Sequence, residues 1–342
     1  MSAELTFELP PDALASEPPE ARGIARDSVR LLVATPRGVT HAHFADLPRF
    51  LEPGDLLVVN TSATLPAAVD GLRHDGRPVV VHFSTPLTEP EWVVELRPPG
   101  RATGPEPDVY AGERLELPDH VSLTVVGPYR DSSRLWRARI GVEGEVAAFL
   151  KRHGRAIRYS YVPRAWPISA YQTVFAQHPG SAEMPSAARP FTPDLVTALV
   201  AQGVVIAPIT LHAGVSSLEA GEPPAPERFS VPASTASLVN LARDRGRRIV
   251  AVGTTVTRAL ETVADEDGRI HAAKGWTELV LGPRRDARVV TGLVTGWHEP
   301  GASHLDLLEV VAGRELVTVA YEEAVRERYR WHEFGDSCLL LP

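Results

Sequence analysis

Three short stretches place polar, chemically capable residues directly after apolar runs, where open α/β sheets present their ligands. In Thr210-Leu-His-Ala-Gly214 an imidazole, His212, precedes a glycine that permits close backbone approach to a bound group. Such a histidine is either a proton carrier or a hydrogen-bonded structural residue. In Ala251-Val-Gly-Thr-Thr-Val-Thr-Arg258 an apolar run passes through Gly253 into Thr254 and Thr255, with Arg258 one turn on. Free amides at a helix start suit a carboxylate, although either threonine also suits plain capping. The spacing is not that of a Gly-x-x-x-x-Gly-Lys phosphate loop. In Val294-Thr-Gly-Trp-His298-Glu-Pro300 a strand-like run again ends in a histidine, with His304 nearby and Ser303 placed to cap a following helix.

A zinc site from His212, His298 and His304 has neither His-x-x-x-His nor His-Glu-x-x-His spacing behind it. The single cysteine, Cys338, rules out an intramolecular disulfide and reads as a small buried hydrophobe. No Gly-x-Ser-x-Gly elbow or paired-cysteine redox motif is present. Arg152-His-Gly-Arg-Ala-Ile-Arg158, followed by Tyr159 and Tyr161, suits either phosphates and bases or a solvated rim. Tyr171-Gln-Thr-Val-Phe175 reads as a helix start or a pocket wall.

These residues need elements to position them. The 342 residues are 44% hydrophobic and 23% charged, which excludes a disordered chain and suggests two domains. The 31 prolines point to many short elements. No apolar run reaches the roughly 18 residues of a membrane span, and the acidic start lacks a signal pattern, so a cytoplasmic setting is expected. A formal charge of −8 argues against coating nucleic acid through bulk charge but leaves room for a local RNA-binding patch.

Residues 29–34 and 39–44 read as strands, and Leu56–Asn60 as a strand buried on both faces. Residues 63–148 carry short strands at 77–83, 92–96, 114–117, 121–126 and 135–140 between Gly/Pro turns, without a helix. That pattern suggests a small inserted barrel or sandwich. Beyond it the pattern turns α/β, with helices expected at 192–203, 234–245, 254–264 and 315–328 and strands at 204–211, 248–252 and 289–295.

Taken in order, Phe7-Glu-Leu-Pro10, Leu51-Glu-Pro-Gly-Asp-Leu-Leu-Val-Val-Asn60, Tyr171-Gln-Thr-Val174, Thr210-Leu-His-x-Gly214, Val252-Gly-Thr-Thr255 with Arg258, His298-x-Pro300, Tyr329-Arg330 and Gly335-Asp336 run nearly the whole chain. The series resembles the S-adenosylmethionine:tRNA ribosyltransferase-isomerases of queuosine biosynthesis. The resemblance implies an α/β domain formed by both chain ends (1–62 and 149–342), with a small all-β barrel domain inserted at 63–148. It implies transfer of the ribosyl part of S-adenosylmethionine to 7-aminomethyl-7-deazaguanine in tRNA, forming epoxyqueuosine and releasing adenine and methionine. No metal and no cofactor beyond S-adenosylmethionine as substrate is implied. His212 and His298 become candidates for proton transfer. Asn60, Tyr171, Gln172, Gly214, Glu227, Gly253, Thr254, Thr255, Arg258 and Asp336 become candidates for substrate binding.

The departures bear on the acceptor. After Asn60 the family reads Thr-Arg-Val-Ile-Pro-Ala-Arg; here it is Thr61-Ser-Ala-Thr-Leu-Pro66-Ala-Ala, without either arginine. Pro-Thr-Ala-Gly-Leu-His-Phe becomes Pro185-Ser-Ala-Ala-Arg-Pro-Phe191, the segment after Gly214 is shortened to leave Glu227, and Gly296 replaces an asparagine. Two buried charge-assisted contacts, each worth about 1.5–3 kcal/mol, are thereby lost, so tRNA is an expected partner that binds weakly. The alternatives are a divergent enzyme that uses S-adenosylmethionine on a small acceptor or cleaves it, and a silent S-adenosylmethionine-binding protein. A monomer without membrane contact is the expected state.

Overall fold

The computed structural model describes residues 7–100, 104–215, 224–282 and 285–342. Most of the shortened segment after Gly214, and the first six residues, lie outside the described residues. The chain opens with β1 (Arg30–Thr35), β2 (Gly38–His43), β3 (Leu56–Asn60) and the short β4 (Ser62–Thr64). Then follow β5 (Ala68–Arg73), β6 (Pro78–Pro86), β7 (Glu91–Arg97), β8 (Arg114–Leu117), β9 (Val121–Pro128) and β10 (Leu135–Ile140). These six close into an antiparallel barrel in the order β10-β7-β6-β5-β8-β9.

Leaving the barrel, the chain forms α1 (Val146–His153), β11 (His178–Ser181), α2 (Pro193–Gln202), β12 (Val205–His212), β13 (Glu227–Val231) and α3 (Ala233–Asp244). It continues through β14 (Ile249–Val252), α4 (Thr254–Thr262), β15 (Ala273–Thr277), β16 (Gly292–Thr295), α5 (Ser303–Ala312), α6 (Arg314–Arg326) and β17 (Ser337–Leu340). Among the described residues the large sheet has nine strands in the order β15-β13-β12-β3-β14-β16-β17-β1-β2, drawn from both chain ends. The mixed α/β architecture with its closed barrel is the fold expected from the sequence.

Alternation along the central strands builds two cores, one on each face. Leu56 and Val58 of β3, Ile249 and Ala251 of β14, and Leu32 and Ala34 of β1 face a cluster completed by helices α3 to α6. Leu57, Val59, Val250, Val252, Leu31 and Val33 face the opposite cluster with Phe44, Leu47 and residues of α2. Helix α2 begins and ends as its sequence dictates. Thr192 Oγ1 accepts the Leu195 amide, Pro193 opens the helix, and Gly203 closes it at φ 95°.

Several details correct the sequence reading. Strand β5 was not expected, because Asp70 and Gly71 interrupt its apolar pattern, and α1 starts inside the supposedly helix-free insert at Val146. The strand expected at 289–295 pairs only from Gly292. Ser303 is the first residue of α5 rather than its cap, which is Ala302 with no side-chain bond. Cys338 is buried in β17, and burial pushes its thiol well above the usual range.

For the site, the decisive feature is strand direction. Strands β12, β3, β14 and β16 are mutually parallel neighbours, so His212, Asn60, Gly253 and Thr295 all lie at one edge of the sheet.

The barrel carries its own polar anchor. Strands β6 and β7 are buried along both faces, so side chains alternating with core residues Val94 and Leu96 are also buried. Glu95 is fully buried, bonded by Arg97 Nε at 2.6 Å and an Arg134 guanidinium nitrogen at 2.8 Å, with its cross-strand neighbour His82 at 3.6 Å. Burial opposes its charge, but His82, Arg97 and Arg134 outweigh that and hold the carboxyl at about 2. Glu95→Gln, which leaves two arginines facing each other without a counter-charge, should destabilise the protein by about 3–5 kcal/mol in denaturant unfolding. The stability from the carboxylate is complete above the ordinary glutamate pKa and lost only as pH falls through about 2. An early acid transition assigned to Glu95 would contradict the cluster.

Candidate active site

A cavity of about 320 Å³ lies against the edge where β12, β14 and β16 end. That volume is in the range of small-molecule sites. Of the residues singled out in the sequence, Tyr171, Gly214, Glu227, Gly253, Thr254, Thr255, Arg258 and His298 line it.

The start of α4 forms one wall. Gly253 caps the helix at φ 97° and ψ 157°, a conformation that glycine adopts without strain, and among the described residues no side-chain cap bond is made there. The plain capping role for Thr254 or Thr255 is therefore not what this chain uses. An uncapped helix start presents amides and a partial positive charge to the cavity, which suits an anion. Arg258 also lines the cavity, but its guanidinium is engaged. It pairs with Glu227, donates through Nε to Leu279 O at 3.0 Å, and reaches Ala225 O at 3.5 Å. Burial raises the Glu227 carboxyl, with Arg258 and the Gly214 amide pulling the other way. Arg258 therefore brings little uncompensated charge, and the α4 amides are the better anion partner.

The second wall carries histidines. His298 stacks on His304 with ring centroids 4.5 Å apart and planes 2° from parallel. His298 Nε2 lies 3.1 Å from Thr295 Oγ1. Burial pushes the His298 pKa well below the ordinary value, helped by His304 and His332, and burial beside Arg258 brings His304 to about 4. Both rings are neutral at pH 7, and a neutral imidazole can accept a proton.

The remaining candidates sit at the sheet edge without lining the cavity. His212 turns aside, with Nδ1 2.8 Å from Ser62 Oγ. Ser62 Oγ meets Ser181 Oγ at 2.6 Å, and Ser181 Oγ accepts the Ala213 amide at 3.0 Å. Gly180 leaves room for the ring, since a Cβ there would lie 2.4 Å from Nδ1. The expectation that His212 shares a pocket with His298 is thus corrected to a shared edge, with His212 tying β4 and β11 to β12. Desolvation, with Arg228 and His178, lowers its pKa to about 4.

Asn60 is fully buried and ties two strands together: Nδ2 donates to Leu211 O at 2.8 Å, and Oδ1 accepts the Leu211 and Ser62 amides, each at 3.0 Å. Gln172 clasps Thr64 through both its backbone groups, at 3.0 and 2.8 Å. Asp336 accepts the Arg30 and Arg330 amides at 2.9 and 2.8 Å. These three support the site rather than face it.

Other cavity residues were not singled out in the sequence: Glu183, Glu333 and His332 join Tyr159, Tyr161 and the α5 residue His304 on the lining. Glu183, Glu333 and His332 lie on irregular chain, where no periodic pattern marks them. The Tyr-x-Tyr alternation at 159–161 was the one available signal. Among the described residues, no group of three or more His, Cys, Asp or Glu is placed to hold a metal ion. No helix there is long and apolar enough to cross a membrane.

Because Asn60 both donates and accepts, Asn60→Asp and Asn60→Leu should each destabilise by about 2–4 kcal/mol, the first by confronting Leu211 O with a carboxyl, the second by orphaning two amides. A denaturation midpoint equal to wild type at unchanged slope would contradict the role.

The model of a family described as "Queuosine biosynthesis protein" matches residues 2–340. A Moorella thermoacetica protein named S-adenosylmethionine:tRNA ribosyltransferase-isomerase is 38% identical, over 99% of this chain and 99% of its own. One of the same name from Symbiobacterium thermophilum is 36% identical over the same shares. The crystal structure of an S-adenosylmethionine tRNA ribosyltransferase from Thermotoga maritima superposes with a TM-score of 0.55 at 29% identity, covering 99% of this chain and all of that one. With the family model matched over residues 2–340 and these relatives matched from end to end, the chain belongs to the queuosine biosynthesis protein family.

Proposed function

We propose that the protein is an S-adenosylmethionine-dependent ribosyltransferase-isomerase that transfers the ribosyl moiety of S-adenosylmethionine to 7-aminomethyl-7-deazaguanine in tRNA, releasing adenine and methionine. The observation that carries this reading is one cavity joining an uncapped helix start to a neutral, buried histidine. The match to relatives of that name over the whole chain supports tRNA as the acceptor over a small molecule. Residues 63–148 then form the inserted domain, and 1–62 with 149–342 the catalytic one.

The chemistry divides along the walls. The methionine carboxylate suits the amides at Thr254 and Thr255. A sulfonium acidifies the adjacent C5′ hydrogens of the ribose, so a base of modest strength suffices to remove one. His298 is the candidate, neutral and facing the cavity, with His304 stacked behind it. His212 is a positioning residue in this reading. The substrate supplies its own leaving groups, so the reading requires no cofactor beyond S-adenosylmethionine.

Purified protein with S-adenosylmethionine, with and without tRNA bearing 7-aminomethyl-7-deazaguanine, tests the proposal through adenine and methionine release. Release only with tRNA supports it. Release without tRNA points to a small acceptor or to cleavage, and binding without release to a silent protein.

His298→Ala should lower kcat by about 10²–10⁴-fold with S-adenosylmethionine affinity little changed. His212→Gln should cost less in turnover and more in stability; the reverse order would exchange the two assignments. Since a base must be neutral and burial lowers the His298 pKa, the acid limb of kcat/KM should fall below pH 6.5. A limb at or above 6.5 would exclude His298. The same depression makes the unfolded chain bind more protons. Stability should therefore fall as pH drops from about 6.5 towards the value near 4 held by His212 and His304.

A further inference from the structure

The part of the cavity not used by the helix start and His298 has its own chemistry. Tyr159 and Tyr161, on the chain leaving the barrel, donate their hydroxyls to the carboxylates of Glu183 and Glu333. The rings of Tyr159, Tyr161 and His332 stand in a row, with centroids 6.1 Å and 4.3 Å apart and planes 21° and 16° from parallel. Tyr171 lines the same space and is only 4% exposed, yet among the described residues its hydroxyl has no hydrogen-bond partner. A buried hydroxyl left unpaired costs about 1–3 kcal/mol, a cost that a ligand in the cavity would remove.

The charge points the same way. Glu183, Glu227 and Glu333 all line one cavity, and Arg258 answers Glu227. Glu183 and Glu333 accept the hydrogen bonds of the tyrosine hydroxyls. Burial raises the Glu333 carboxyl, and Glu183 adds to that rise. Glu333 in turn acts on the Tyr171 phenol, so these groups share one electrostatic environment. Three carboxylates on the lining of one cavity suit a cationic ligand.

We propose that Glu333, Glu183 and Tyr171 form the subsite for the protonated aminomethyl group of the acceptor base, with the Tyr161 and His332 rings beside the plane of the base. This rests on the reading under Proposed function. An alkylammonium carries one positive charge and three N–H donors. Two carboxylates and a phenol oxygen match that count, and flat rings at the rim suit a heterocycle. S-adenosylmethionine is also cationic. However, its carboxylate is assigned to the α4 amides, and the acidic corner is built from the chain that leaves the barrel and the segment ahead of β17.

The test compares binding of tRNA carrying 7-aminomethyl-7-deazaguanine with tRNA carrying the uncharged 7-cyano-7-deazaguanine, for wild type, Glu333→Gln, Glu183→Gln and Tyr171→Phe. Titration with S-adenosylmethionine serves as the fold and donor-site control. The wild type should prefer the charged base. Glu333→Gln should reduce that preference about tenfold or more, while the S-adenosylmethionine Kd stays within about twofold. Tyr171→Phe, nearly isosteric, should reduce it by a smaller factor and decides the matter if a glutamine variant fails to fold. An unchanged preference in variants that still bind S-adenosylmethionine overturns the assignment. So does a tenfold weaker S-adenosylmethionine Kd with the preference intact, which would place the carboxylates at the donor. If the wild type neither binds the aminomethyl-bearing tRNA nor releases adenine with it, the functional reading itself fails, and the subsite with it.

Discussion

At the end of β3 the chain must leave a buried sheet for the barrel without leaving buried backbone groups unpaired. Asn60 meets that constraint. The last main-chain bond to β12 runs from the Thr61 amide to Ile209 O at 2.8 Å, and beyond it Leu211 would face the interior with an open N–H and C=O. The Asn60 amide substitutes for a strand residue, giving Leu211 one donor and one acceptor and then turning the Ser62 amide back onto itself. Because Ser62 is fixed, Ser181 and His212 are fixed with it, and β4 and β11 can lie beside the sheet edge. The cavity floor therefore depends on a group that does not touch the cavity.

Once that edge is set, the wall formed by the α4 start and the histidines carries little net charge before a ligand enters. Burial keeps His298 and His304 uncharged, and Arg258 is matched by Glu227. A free buried arginine would hold a carboxylate more strongly than helix amides, but it would carry a large desolvation cost in the empty protein. Amides at an uncapped helix start offer a weaker attraction at much smaller cost, and Gly253 makes that start possible.

Much of this was legible in the sequence, for identifiable reasons. Buried parallel strands announce themselves as apolar runs, and parallel order puts their ends on one edge, so Gly253, Thr254, Thr255 and His298 could be grouped across distant positions. The direction of a side chain at such an end is a different matter. His212 follows an apolar run as His298 does, yet Gly180, remote in sequence, opens the space into which its ring turns. Strand β5 escaped because Asp70 and Gly71 break its alternation, and pairing with β6 and β8 overrides that. Glu183 and Glu333 escaped because they belong to no periodic element, and their grouping exists only once the barrel and the last strand are in place.

The barrel is thus more than an insertion tolerated by the sheet. Its buried Glu95 fixes Arg97, and Arg97 lies over the Tyr159 ring, 5.9 Å from the centroid. Tyr159 bonds Glu183, and Tyr161, two residues on, bonds Glu333 beside the last strand. Arg155 pairs with Asp70 of β5 and closes the same segment onto the barrel, at 2.7 and 2.6 Å. The chain from 155 to 161 is therefore held on one side by barrel charges and on the other by carboxylates from the α/β body. A change in how the barrel packs must move the tyrosine wall before it can reach the α4 amides or His298. The two halves of the cavity are positioned by different cores, and the tyrosine wall is the one coupled to the barrel.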